Sequence, residues 1–138
     1  MSKKKILLLG LSNKPNLGAF DSSTNSGKLI DLIISECKNY EFTKANLVSF
    51  APLDVNNKLR YPNKKELLDG AENWSGRISE FDCVVLFGKK VQDTILNDER
   101  FSSVKFVVST HPSYIWVYKH KEIKNYVNEI ANKIKTIK

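Results

Sequence analysis

The chain has 138 residues, 41% of them hydrophobic and 27% charged. That length closes one core, excludes a TIM barrel or a two-domain cofactor enzyme, and carries too much apolar content for wholesale disorder. Lys and Arg number 22 against 15 Asp and Glu, a net +7, which favours polyanionic partners because each neutralised phosphate releases a counterion; a solvated lysine surface accounts for it equally well, since only Arg60, Arg77 and Arg100 are not lysine.

Residues 6–9 are a short apolar run ended by Gly10, the pattern of a buried strand. Residues 12–25 are polar, with Pro15 and Gly18, and predict a long loop of the kind that is usually functional. Ser26 is the expected N-cap of a helix carrying Leu29, Ile30, Leu32 and Ile33. Residues 43–50 form a second apolar run with Asn46 inside it, and 56–63 are polar with Pro62. Asn63 and Glu66 have capping-box spacing, and Leu67, Leu68, Ala71, Trp74 and Ile78 give the next helix one apolar face. Residues 83–87 predict a third strand ended by Gly88, then a short helix marked by Val91, Ile95 and Leu96. A fourth strand, 106–108, leads into Ser109-Thr110-His111-Pro112-Ser113. The last helix carries Ile123, Tyr126, Val127, Ile130, Ile134 and Ile137 on one stripe.

Alternating apolar strands and helices predict an α/β fold, a three-layer α/β/α sandwich around a four-stranded parallel sheet, in one domain over 1–138. Sites in such folds lie past the carboxyl ends of the strands. The loops 10–20, 46–54, 88–90 and 111–113 are therefore expected to converge on one crevice. The chain carries no GxxxxGK[ST] phosphate loop, no GxGxxG turn and no GxSxG nucleophile motif. Cys37 and Cys83, with two scattered histidines, offer no metal-ligand spacing, so no metal and no cofactor is expected and the cysteines read as reduced and structural. Lys3, Lys4 and Lys5 precede too short an apolar run for a leader, and no run approaches the roughly 18 residues of a membrane span. The expectation is a cytoplasmic monomer with no membrane partner.

The ordered segments resemble the uracil-DNA glycosylase superfamily over nearly the whole chain. Ile6–Gly10 followed by Leu11-Ser12-Asn13-Lys14-Pro15 is similar to the family's strand and Gly-x-x-Pro turn. Gly18-Ala19-Phe20 with Ser26-Gly27-Lys28-Leu29 resembles the segment of the base-stacking aromatic. Asn46 in its apolar run, with Ala51-Pro52 and Arg60-Tyr61-Pro62, resembles the uracil-reading strand and its sequel. Val84-Val85-Leu86-Phe87-Gly88-Lys89 resembles the third strand and glycine turn, and His111-Pro112-Ser113 matches the His-Pro-Ser motif.

The resemblance implies a hydrolase that flips uracil, or a related deaminated base, out of DNA and cleaves its N-glycosidic bond in base excision repair. It implies substrate contacts at Gly10, Phe20, Asn46 and Ser113, with Phe20 stacking and Asn46 reading the O4 and N3–H edge. It implies catalytic roles for His111, as donor to O2, and for Ser12 or Asn13, as water positioner. The turn departs from the family in being one or two residues longer before its proline and in lacking an acid, which points to an oxocarbenium-like, dissociative mechanism. The iron–sulfur branch is excluded, since it needs four cysteines. Tyr114, Ile115 or Trp116 is the implied wedge into the duplex, with Lys119 and Lys121 on phosphates. The alternatives are a nucleic-acid-binding module that does not cleave, and an enzyme acting on free nucleosides or nucleotides.

Overall fold

Residues 6–9 have no room for a polar side chain because both faces of their strand are covered. In the computed structural model, which describes residues 3–137, β1 (Lys4–Ser12) lies inside a parallel sheet, between β2 (Tyr40–Val48) and β3 (Cys83–Phe87). The order is β2-β1-β3-β4, with β4 (Phe106–Ser109) at the far edge. Successive side chains of a strand point to opposite faces. Ile6 and Leu8 thus pack under α1 (Asn25–Ser35), α4 (Pro112–Tyr118) and α5 (Ile123–Lys135). Leu7 and Leu9 pack under α2 (Lys64–Ser75) and α3 (Lys89–Leu96). All four are fully buried, each stabilising by about 1.5–3 kcal/mol relative to exposure. The three-layer α/β/α arrangement and its four parallel strands are as the sequence predicts.

Several local expectations are corrected. The N-cap of α1 is Thr24, whose side chain accepts from the Gly27 amide at 3.0 Å; Ser26 already lies within the helix and is buried. The second strand starts at Tyr40 rather than 43, because β1 pairs with it from Lys4↔Tyr40 onward, and it stops at Val48 rather than 50. Ile78 belongs to a separate 3-10 turn after α2. The segment after His-Pro-Ser is a helix, α4, with Pro112 at its first turn, where a missing N–H costs nothing. The Asn63–Glu66 capping box is present in both directions. Cys37 and Cys83 are buried and free, and burial pushes the Cys83 thiol up to about 11. Among the described residues no helix is long and apolar enough to cross a membrane.

Candidate active site

The carboxyl ends of β1 and β2 are in register at Gly10↔Asn46. A glycine is required at position 10. A Cβ there would lie 2.5 Å from Asn46 Oδ1 and 2.7 Å from Phe20 Cζ, so the missing side chain lets an amide and an aromatic ring meet over the strand end. Phe20 is held at φ 47, a conformation that a bulky side chain adopts only when its surroundings impose it. Those surroundings are visible. Its ring meets Phe87 edge-on at 5.3 Å between centroids, and its carbonyl accepts from Lys44 Nζ at 2.9 Å. Lys44 is also paired with Asp31 at 2.7 Å. Burial raises the Asp31 pKa, but the bonds from Lys44 and Ser22 outweigh it and hold the carboxyl below its ordinary value.

The orientation of Asn46 is set by a relay. The Ser49 carbonyl can only accept, and it takes the Nδ2–H of Asn13 at 3.0 Å. The Oδ1 of Asn13 therefore faces Asn46 and accepts from its Nδ2 at 2.7 Å. Asn46 keeps its Oδ1 and a second N–H for a ligand, one acceptor and one donor. From the other face of the sheet, the Trp74 indole donates to the Asn46 carbonyl at 3.4 Å. Asn46 is one of the few buried polar residues.

His111 caps α4. Its Nδ1 accepts from the Ser113 amide at 3.2 Å and lies 2.8 Å from Ser113 Oγ. Nδ1 thus carries the lone pair, and the ring proton of the neutral form sits on Nε2. Burial, then the charge of Lys14, hold the His111 pKa below its ordinary value. The ring lies 6.3 Å from that of Phe20.

Ser12, Lys14, Phe20, Asn46 and His111 line one pocket, together with Asp21, Ser26 and the Leu17–Gly18 loop. Asp21 is its one lining carboxylate, and bonds from the Ser23 hydroxyl and amide lower its pKa and keep it ionised. The pocket measures about 50 Å³, room for a water or two.

Of the residues singled out in the sequence, Ser12, Phe20, Asn46 and His111 come together here, with Gly10 beneath Asn46 and Phe20; Ser113 is bonded to His111 but lines the neighbouring groove. The loops at 88–90 and 47–54 do not line this pocket, contrary to the expected single crevice, since residues 88–90 face the groove of Tyr61 and Tyr114. Asn13 stands behind Asn46 and faces a separate groove beside Trp74 and Arg77. Tyr114 is half-exposed, in a groove with Tyr61, Lys89, Lys90 and Tyr118. Ile115 is not available as a wedge: helix α4 turns it into the core, 8% exposed, against the cluster of Ile6 and Phe20. Trp116 is partly buried against the same cluster, while Lys119 and Lys121 are exposed beyond α4. Sequence reasoning missed Lys44 and Asp21, and read Ser26, which lines the pocket, as a helix cap. Lys44 had a signal, because it lies two positions before Asn46 and so on the same strand face. Among the described residues no cluster of His, Cys, Asp or Glu is arranged to hold a metal.

The uracil DNA glycosylase superfamily model matches residues 5–135. Among solved structures, that of wild-type Pedobacter heparinus SMUG2 is similar at a TM-score of 0.72 and 15% identity, over 96% of this chain and 75% of that one. No curated protein matches the sequence. With the parallel sheet and the ordered motifs, the chain belongs to the uracil DNA glycosylase superfamily, and its function is of the DNA glycosylase type.

Proposed function

We propose that the protein hydrolyses the N-glycosidic bond of uracil, or of a related deaminated base, extruded from DNA, with no metal or organic cofactor. The observation that carries this reading is the Ser49–Asn13–Asn46 relay, which leaves an acceptor and a donor of Asn46 for the N3–H and O4 of uracil. Phe20 supplies the stacking face. The base-to-sugar bond breaks with its electron pair staying on the base, so negative charge grows on uracil O2 and positive charge on the sugar. The Nε2–H of neutral His111 donates to O2, a contribution of about 3–4 kcal/mol to the transition state. The ionised Asp21 carboxylate offsets the cationic sugar. Ser12, which lines the pocket, positions the incoming water, whose oxygen bonds to the sugar carbon and whose proton leaves to solvent. Asn13 is a positioning residue, since its amide is already bonded to Asn46 and Ser49.

The test is strand scission at abasic sites after incubation with uracil-containing oligonucleotides, alongside thymine, cytosine and free deoxyuridine. Cleavage confined to the uracil oligonucleotides supports the reading. Turnover of free deoxyuridine at a comparable rate replaces it with a nucleosidase, and binding without scission replaces it with a non-cleaving module.

A further inference from the structure

Of the chain's arginines, Arg60, Arg77 and Arg100, two are committed to carboxylates. Arg60 is paired with Glu66, and Arg100 with Asp98 and Glu72. Arg77 has no carboxylate partner among the described residues. Its guanidinium instead lies over the Trp74 ring, 4.0 Å from the centroid. The backbone holds it there. The Arg77 amide donates to the Trp74 carbonyl at 3.0 Å where α2 ends, and the Arg77 carbonyl accepts from the Glu80 amide at 3.1 Å in the 3-10 turn Ile78–Glu80. A guanidinium stacked on an aromatic face keeps its in-plane N–H donors open. Trp74 is itself buried, and its indole donates to the Asn46 carbonyl at 3.4 Å. The stack therefore stands on the strand that carries Asn46.

Arg77 opens on a groove of about 500 Å³, lined also by Asn13, Asn46, Ser49, Asn73 and Trp74. No carboxylate lines it, so Arg77 sets its charge. The side chains of Asn13, Asn73 and Ser49 add neutral donors; Asn13 Nδ2 gives one hydrogen to the Ser49 carbonyl and has a second. Asn46 lines both this groove and the pocket, so the two are neighbours. We propose that the groove is a phosphate-binding site, with the Arg77 fork taking two oxygens and the amides of Asn13 and Asn73 meeting the others. A cation covered on one face by an indole and lacking an internal counter-charge is completed by an oxyanion, and a guanidinium does so through two parallel bonds. The donors come from two walls, Asn73 and Arg77 from the end of α2, Asn13 and Ser49 from the ends of β1 and β2. That spread suits a tetrahedral group better than a planar carboxylate. Two sources carry this chemistry, a free phosphate or nucleotide and the backbone of a nucleic acid, and the net charge of +7 attracts either. The site does not depend on the glycosylase reading, because binding alone defines it.

The experiment titrates the full chain with sodium phosphate at constant ionic strength and follows the Arg77 Nε–H and the Trp74 indole N–H by NMR. Both are expected to shift to saturation with phosphate and to stay in place with sodium chloride or sodium acetate. Arg77→Lys keeps the charge but loses the fork and the stack. It is expected to weaken phosphate binding about tenfold, with the backbone amide spectrum reporting that the fold is kept. The second arm uses a single-stranded oligonucleotide without uracil. Shifts of the same two resonances, with a salt slope that Arg77→Gln lowers by roughly 1, assign the phosphate to a nucleic-acid backbone. Shifts with inorganic phosphate and none with the oligonucleotide assign it to a free phosphate group, and the site stands in either case. The absence of a saturable shift with both ligands, equal shifts with chloride or acetate, or undiminished phosphate binding by Arg77→Lys overturns the proposal. Nothing is cleaved in these titrations, so a chain that binds phosphate here and excises no uracil keeps the site and loses only the glycosylase reading.

Discussion

A neutral imidazole beside a lysine is the residue-scale feature with the clearest chemical consequence. His111 keeps its place at the start of α4 only while it is uncharged, because protonation would occupy the Nδ1 that accepts from the Ser113 amide, and burial with the Lys14 charge holds its pKa below the ordinary histidine value. The acid limb of the excision rate is therefore expected below about pH 6.5. Lys14→Met removes the second of the two causes and should move that limb to higher pH, as read from a pH–rate profile and from the His111 ring resonances. The linkage has a sign: a depressed folded pKa means that the unfolded chain binds the extra proton first, so this group's contribution to stability is present above about pH 6.5 and is lost as the pH falls. Asn46 belongs to the same scale. Replacing its donor with an acceptor, as in Asn46→Asp, mismatches uracil O4, so uracil excision is expected to fall by about two orders of magnitude, with weak cytosine excision appearing. A uracil rate within a few-fold of the parent's would make Asn46 a structural strand residue.

At the scale of elements, the wall of the pocket is also the start of a helix. Thr24 Oγ1 donates to the Asp21 carbonyl at 2.7 Å and accepts from the Gly27 amide at 3.0 Å, so one hydroxyl caps α1 and pins the residue that follows Phe20. Thr24→Ala is expected to cost about 1 kcal/mol, read as a lower urea midpoint with an unchanged slope; the Asp21 carbonyl keeps its bond from the residue 24 amide. Ser26→Ala should cost less stability, since Ser26 is not the cap. Two hydroxyls lie two positions apart in this stretch, and the local sequence does not say which one starts the helix. That is decided by Gly27, whose missing side chain lets α1 sit directly on the backbone of Phe20 and Asp21. The Asn63–Glu66 box was legible in advance because both of its bonds are made within four residues.

Across the whole molecule, the net charge of +7 is uneven: residues 105–138 hold seven lysines against two glutamates. Lys119 and Lys121 are exposed past the end of α4, on the chain segment that follows the His111 motif. If they lie on phosphates, Lys119→Glu with Lys121→Glu weakens binding to all DNA sequences alike and lowers the salt slope by roughly 1 for each phosphate no longer neutralised. A salt titration with the same slope as the parent would leave them as solvated surface.

The sequence alone determined the elements whose causes are local: fully apolar strands that must be covered on both faces, a capping box, a proline that starts a helix, and glycines that end strands. From these follow the parallel sheet and the end of it where a site lies. Tertiary structure decided whatever depends on residues far apart in the chain. The relay joins Asn13, Asn46 and Ser49 only because β1 and β2 pair in a register that no single segment contains. Phe20 is turned into the site by Phe87 and by Lys44, each from a different strand. Ile115 is an implied wedge by resemblance until α4 folds it under the sheet. Burial is a property of the packed molecule, and in this protein it separates the side chains that hold the pocket together from those exposed to solvent.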